Sequence, residues 1–240
     1  MASRWTRIIV GVGLALAAWL PAWAAATARG ELPAISDLAT LESRLGTEST
    51  NAPLLLRAAL EYHNRAAFAS EDSSRWLTQT RTCLEKFLQL DPQNTFARTL
   101  LGSAVVISAR EPFWPGAKIR RVREGLALMD AALAADPENA DARFTRASNN
   151  LFLPGLFQRE SVVREDFAWL QERADRGEFA ADFRQYIFLY HGRAQVRWGE
   201  TERARSLWEA GIAIDPSSKV AAELREALGG FISQSKGSRS

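Results

Sequence analysis

The chain has 240 residues, of which 47% are hydrophobic and 24% are charged. This balance is typical of a folded globular protein and excludes an intrinsically disordered chain. Lysine and arginine number 30 and aspartate and glutamate 28, and the two sets become equal when Arg4 and Arg7 are left out. Nucleic-acid binding requires an excess of positive charge, so we expect no nucleic-acid partner.

The first residues are organised like an export signal. Arg4 and Arg7 precede a thirteen-residue apolar stretch at 8–20, and Pro21 and the small residues at 22 and 24 follow it. A positive start, a short apolar stretch and small residues at the cleavage positions are typical of a signal peptide. Thirteen residues are fewer than the roughly 20 that a membrane-spanning helix needs.

We therefore predict a signal peptide at residues 1–24, with cleavage possible up to residue 28. The mature protein is expected to be periplasmic or secreted, without stable insertion into a membrane. The alternative is an inner-membrane protein anchored through an uncleaved segment at 8–23, in which Trp19 and Trp23 would lie at the membrane interface.

Residues that could carry chemistry are few and scattered. Cys83 is the single cysteine, which excludes an intramolecular disulfide, and its apolar neighbours indicate a buried thiol. His63 and His191 are far apart and lack a metal-ligand spacing. Neither a phosphate-binding glycine loop nor a nucleophile-elbow serine follows the signal segment. We expect no enzyme activity, no cofactor and no metal.

The rest of the chain is predicted to be all-α. Apolar residues recur with helical spacing, as at Val122, Leu126, Met129 and Leu133, and no segment shows the alternation of a strand. The predicted helices are 36–46, 53–69, 73–90, 94–110, 118–135, 139–152, 159–175, 179–198, 201–214 and 217–228.

Three predicted helices end at an Asp-Pro pair. These pairs are Asp91-Pro92, Asp136-Pro137 and Asp215-Pro216, and a residue before proline is disfavoured in the α conformation. The intervals between them are 45 and 79 residues, each eleven residues longer than a whole number of 34-residue units. A helix-turn-helix unit of 34 residues is the period of the tetratricopeptide class.

The last unit also follows that class in its residues. Its key positions are held by Phe188, His191-Gly192, Gln195, Ala204, Trp208 and Pro216. This unit resembles a tetratricopeptide repeat, with His191 where leucine is usual and Gln195 where tyrosine is usual. An earlier unit is similar through Leu101-Gly102, Gly125, Met129 and Pro137, provided that its eleven extra residues lie between its two helices.

The resemblance implies a right-handed α-solenoid of about four helix pairs over residues 53–228, with a C-terminal capping helix. A lead-in with a short helix is expected at 25–52 and a flexible tail at 229–240. Such arrays bind proteins or peptides in a concave groove lined by the first helix of each pair. The positions that the resemblance assigns to this groove are Phe96, Thr99, Ser103, Asp141, Phe144, Ser148, Tyr186, Leu189 and Arg193.

Two Pro-Gly loops provide a second candidate surface. Trp114-Pro115-Gly116 and Leu153-Pro154-Gly155 are each followed by arginines at the start of a helix. Positive charge opposes the dipole at that end of a helix, so we expect these arginines to have partners. The apolar loop residues either pack back on the helices or form a binding edge. The candidate edge residues are Trp114, Arg120, Arg121 and Arg159.

Export, helical repeats and the lack of catalytic motifs indicate a periplasmic scaffold or adaptor that binds a protein or peptide in envelope assembly, secretion or transport. The alternative is a small-ligand binding protein that serves a transporter. In that alternative, arginines and the tryptophans that remain after cleavage would line a pocket for an organic anion. Those tryptophans are Trp76, Trp114, Trp169, Trp198 and Trp208.

Overall fold

The structure, a computed structural model, describes residues 37–68, 72–111 and 114–237, and its regular elements there are all helical. Ten α-helices occur in these ranges: α1 (Leu38–Thr47), α2 (Ala52–Phe68), α3 (Ser73–Leu90), α4 (Thr95–Ser108), α5 (Pro115–Ala135), α6 (Ala140–Leu151), α7 (Glu160–Asp175), α8 (Ala181–Arg197), α9 (Thr201–Ile214) and α10 (Lys219–Gly237). A short 3-10 turn, Gly155–Phe157, precedes α7. The prediction of an all-α fold is confirmed. The predicted signal segment lies outside the described residues.

The predicted helix bounds agree with the structure within three residues, apart from the end of the last helix. The prediction that Gly229-Gly230 ends this helix is wrong, because α10 continues to Gly237. A Cβ at Gly229 or Gly230 would have no neighbour within 4 Å, so both glycines are on open helix surface. Glycine there costs a helix about 1 kcal/mol, which is too little to end it on its own. None of the described helices is long and apolar enough to span a bilayer.

The three Asp-Pro pairs end α3, α5 and α9, and each of the turns also starts the next helix. Asn94 accepts a hydrogen bond of 3.0 Å from the Ala97 amide and donates one of 2.9 Å to Asp91. The Asn139 side chain makes the same two bonds, and Ser218 Oγ accepts from the Ala221 amide. A side chain that accepts from a first-turn amide caps the helix N-terminus. The same capped turn therefore occurs three times.

Two other helices end at a glycine in the left-handed conformation. Gly177 has φ 74° after α7, and Gly199 has φ 80° after α8. The amides of Glu178 and Glu200 donate to carbonyls five residues earlier, at 3.1 and 2.8 Å. This is the Schellman arrangement, which favours glycine because a Cβ is strained at positive φ. Gly177-Glu178 and Gly199-Glu200 thus form the turns that follow α7 and α8.

The chain forms two compact units, Met1–Val162 and Val163–Ser240. The first unit holds α1 to α6, and each of these helices contacts the next one within the unit. In addition, α2 contacts α4, and α4 contacts α6. In the second unit α8 contacts α9, and α10 contacts both. Within these units the contacts thus join helices that are neighbours in sequence and, in three cases, a helix and the next but one.

Helices α4 and α5 of the first unit approach each other closely at two glycines. A Cβ at Gly102 would lie 2.7 Å from Gly125 O, and one at Gly125 would lie 2.7 Å from Val106 Cγ2. The two glycines that the repeat pattern pairs therefore face each other. The eleven extra residues lie between these helices, partly in the connection 109–114 and partly in α5, which has 21 residues against 14 in α4.

Candidate partner-binding surface

The residues predicted to line a groove lie on α4, α6 and α8, and nearly all of them are buried. Eight of the nine side chains have exposed fractions of 0 to 9%, and the ninth, Arg193, is partly exposed. On α4 this burial follows from the packing, because α4 contacts α2, α3, α5 and α6. An open groove lined by these side chains is not present in the described residues. Whether they contact a partner stays a prediction.

On α8 this face is covered by the last helix. Burial, followed by the charge of Glu223 on α10, raises the pKa of Tyr186 to about 12. Burial also raises the pKa of Glu223, while the charge of Arg193 opposes that shift. Tyr186 and Arg193 of α8 thus lie close to α10, which packs on α8 and α9 as a capping helix does.

His191 and Gln195 are the two departures from the repeat pattern, and they interact with each other. The Gln195 amide nitrogen lies 2.8 Å from His191 Nε2, and the imidazole ring stacks on Phe167 at 5.3 Å. Burial lowers the pKa of His191 to about 4, so the ring is neutral at pH 7. Polar contact between the two side chains replaces the apolar contact that leucine and tyrosine would make.

Gly192 lies beneath the indole of Trp208. A Cβ at Gly192 would lie 2.6 Å from Trp208 Cδ1, and the indole nitrogen donates a 3.1 Å bond to Leu189 O. The three atoms nearest to that Cβ all belong to the Trp208 ring. Ala204, on the same helix as Trp208, is fully buried.

The two remaining side chains that could carry chemistry, Cys83 and His63, are buried and uncharged at pH 7. Burial raises the pKa of the Cys83 thiol to about 11, which confirms the expectation of a buried thiol. His63 Nε2 lies 2.7 Å from Ser103 Oγ, and burial lowers the pKa of His63 to about 3. The described residues contain no cluster of three or more histidine, cysteine or acidic side chains that could hold a metal.

Trp114 is the most exposed large hydrophobic side chain of the described residues, with 65% of its surface open to solvent. It is the N-cap of α5, makes no side-chain capping bond and is followed by Pro115. A Cβ at Gly116 would collide with the Trp114 ring. The ring therefore rests on the bare backbone of Gly116, which fixes its direction while most of its surface stays exposed.

Four cations, Lys118, Arg120, Arg121 and Arg123, lie in the first nine residues of the helix that follows Trp114, and the first turn of this helix has no acid. Arg121 donates a 3.1 Å hydrogen bond to Ser108 Oγ, which ties α5 to α4. Arg120 and Arg123 are exposed. Sequence reasoning selected Arg120 and Arg121 but left out Lys118 and Arg123. The sequence feature that could have identified all four cations is the absence of acidic residues from the first turn of the helix.

The second Pro-Gly loop packs back on the protein. Leu153 is buried, and with Phe157 it joins a core cluster of α4 and α5 side chains. Arg159 donates bonds of 2.9 and 2.6 Å to the Asp130 carboxylate, which also accepts from Arg146. The expected acidic partner of Arg159 is thus Asp130. The loop at Leu153 therefore packs back on the helices, whereas the loop at Trp114 leaves its tryptophan exposed.

Four of the five tryptophans of the small-ligand alternative, all except Trp114, make close contacts within the chain. Arg164 lies 3.8 Å from the Trp198 ring centre, Arg173 lies 3.6 Å from that of Trp169, and Arg75 lies 4.9 Å from that of Trp76. Trp208 is in the core. Arginines thus stack on three of these tryptophans, and no contact among the described residues favours an anion pocket between them.

Comparison with known proteins returns no relative. No protein-family model, no curated protein and no solved structure matches the chain.

Proposed function

We propose that this protein is an exported, tetratricopeptide-like helical-repeat scaffold that binds a protein partner. The packing supports the repeat assignment. In an array of stacked helix pairs, each helix contacts its neighbour in sequence, and equivalent helices of successive pairs contact each other. The contacts of α2 with α4 and of α4 with α6 follow this rule. The capped turn that occurs three times gives further support.

Trp114 carries the proposal that the scaffold binds a protein. Tryptophan and arginine are enriched among the residues that dominate protein interfaces. Covering a large exposed apolar side chain is worth about 1.5–3 kcal/mol. The ring is already held by the Gly116 backbone, so binding would cost little loss of side-chain freedom. A protein partner that covers this ring would gain most of that free energy.

Export is the second part of the proposal and is supported by the residues at 1–24. Expression with the native N-terminus and N-terminal sequencing of the product test it. We expect a periplasmic or secreted protein that begins near Ala25. Recovery of an intact N-terminus in the membrane fraction would indicate the anchored alternative.

Affinity capture from an envelope extract tests partner binding. Wild-type protein is compared with Trp114→Ala and with Leu90→Ala, a control that removes another exposed apolar side chain, 51% exposed, on α3. We expect a reproducible partner with wild type and the control, and its loss with Trp114→Ala. A partner that binds all three proteins equally would exclude Trp114 as the contact.

A further inference from the structure

Four cations are crowded at the N-terminal end of α5. Lys118, Arg120, Arg121 and Arg123 lie within six residues of one another. Lys118 lies in the first turn of α5 and opposes the macrodipole, an effect that falls off beyond that turn. The cations also repel one another. A cluster of this kind lowers the stability of the free protein, so a compensating negative charge is expected.

The protein supplies such charge at α7, where two arginines have acidic partners. Arg159, next to the start of α7, pairs with Asp130 at 2.6 Å, and Arg164 in its first turns pairs with Glu200 at 2.9 Å. Among the described residues Lys118, Arg120 and Arg123 have neither an ion pair nor a hydrogen bond to an acid. The contrast indicates that the counter-charge for α5 comes from another molecule.

The geometry defines a short patch, made of Trp114, Arg120 and Arg123 and called the α5 patch below. Lys118 and Arg121 lie about 100° or more around the helix from these two arginines, and Arg121 is bound to Ser108 of α4. At 1.5 Å per residue it extends about 14 Å along the helix, the length of roughly four residues of extended chain. Arg120 and Arg123 are three residues apart and lie on one exposed face. Trp114 adds an apolar contact at one end.

We propose that the α5 patch binds an acidic segment of the partner protein, with carboxylates on the cations and an apolar side chain on Trp114. This inference rests on the proposed function and specifies the chemistry of its partner. A protein segment fits better than an anionic membrane. Among the described residues, Trp114 is the one large apolar side chain exposed at this helix start, and two cations at about 1 kcal/mol each hold a lipid surface only weakly.

Fluorescence anisotropy with a labelled ten-residue peptide of alternating glutamate and leucine tests the inference on the purified protein. A peptide with lysine in place of glutamate is the ligand control. We expect binding of the acidic peptide only, and weakening of that binding as salt rises from about 50 to 200 mM. This salt dependence is measured on wild-type protein and does not depend on the folding of any variant.

The variants locate the binding. Arg120→Glu with Arg123→Glu should raise the Kd of the acidic peptide about tenfold or more, equal to about 1.4 kcal/mol. The control Arg81→Glu with Lys86→Glu makes the same charge change at exposed sites on α3 and should leave Kd within about twofold, since exposed charges beyond a Debye length are screened. Circular dichroism checks the fold of each variant.

Equal binding of both peptides, no binding of either, or equal effects of the two double variants would overturn the inference. Binding to phosphatidylglycerol vesicles in place of the acidic peptide, abolished by Arg120→Glu with Arg123→Glu, would also overturn it and assign the patch to a membrane. A different result would contradict the proposed function, namely that a photo-crosslinking probe at position 114 forms no crosslink to a protein in the cell. A crosslink to a protein segment that is not acidic would contradict the inference and leave the proposed function in place.

Discussion

Trp208 of α9 covers Gly192 of α8 so closely that its indole nitrogen reaches the Leu189 backbone oxygen at 3.1 Å. The bond joins the helices of one pair, and a side chain at position 192 would displace the ring. Gly102 and Gly125 hold the equivalent place between α4 and α5, where backbone meets backbone. Both helix pairs depend on glycine at the contact. Between α8 and α9 the glycine leaves space for an indole ring, and between α4 and α5 it leaves space for the backbone of the other helix.

Gly125→Ala should destabilise the protein by about 1–3 kcal/mol, the usual cost of overpacking. The new methyl group would meet the Gly102 carbonyl and Val106, which belong to the backbone and core of α4 and cannot easily move. Gly46→Ala is the matched control, because it adds a methyl to helix surface with no neighbour within 4 Å. Urea denaturation of both variants checks this. Equal midpoints would contradict the close approach of α4 and α5.

Gly192→Ala should destabilise the protein by a similar amount, about 1–3 kcal/mol, because the indole must move. Trp208→Phe should cost less, since it loses mainly one hydrogen bond of about 0.5–1.5 kcal/mol and some packing. In the double variant the smaller ring leaves room for the methyl group, so the two costs should be less than additive. A double-mutant cycle of unfolding free energies measures this, and strict additivity would argue against the contact.

Ala204→Leu should lower stability clearly, by about 1–3 kcal/mol, because Ala204 is fully buried in α9. Ala222→Leu adds the same atoms to an exposed position of α10 and should have little effect. Chemical denaturation compares the two. If Ala204→Leu unfolds at the wild-type midpoint, the position of α9 in its helix pair is incorrect.

Stability should fall as the pH decreases from about 6.5. Burial holds the pKa of His63 near 3 and that of His191 near 4, both below the ordinary 6.5. The unfolded chain therefore binds protons that the folded protein excludes. The free energy of unfolding is unaffected by these groups above about pH 7. Below about pH 7 the free energy of unfolding decreases by up to about 1.4 kcal/mol per pH unit for each histidine.

His191→Gln should remove the contribution of that histidine to the slope between about pH 5 and 6.5. Unfolding free energies at several pH values, compared with wild type, isolate this contribution, because other titrating groups cancel in the comparison. Any loss of stability that is independent of pH is a packing effect and leaves the slope unchanged. A slope equal to that of wild type would show that His191 is not held neutral by burial.

Helix positions were predictable from the sequence because they depend on local patterns. The Asp-Pro pairs end three helices, and the apolar stripes, including Val122 to Leu133, indicate which side of each helix is buried. The Gly102 and Gly125 contact also followed from spacing. Gly229-Gly230 misled the prediction, because a glycine pair on exposed helix surface lowers helix stability without ending the helix.

The candidate surface was only partly predictable. Phe96 and Tyr186 are correctly assigned to inward helix faces, but periodicity does not reveal that neighbouring helices close over those faces. The two Pro-Gly loops have similar sequences and different structures. Leu153 packs into the core, whereas Trp114 rests on Gly116 and stays exposed. Only tertiary contacts distinguish them.

The most direct test of partner binding through the α5 patch is photo-crosslinking in the cell. A benzoylphenylalanine probe replaces Trp114, and the same probe at Leu90, on exposed α3 surface, is the control. We predict a discrete crosslinked protein from position 114 that is absent from position 90 and lost when Arg120→Glu and Arg123→Glu are added. No product at 114, or the same products from both positions, would contradict the proposal that this surface binds a partner.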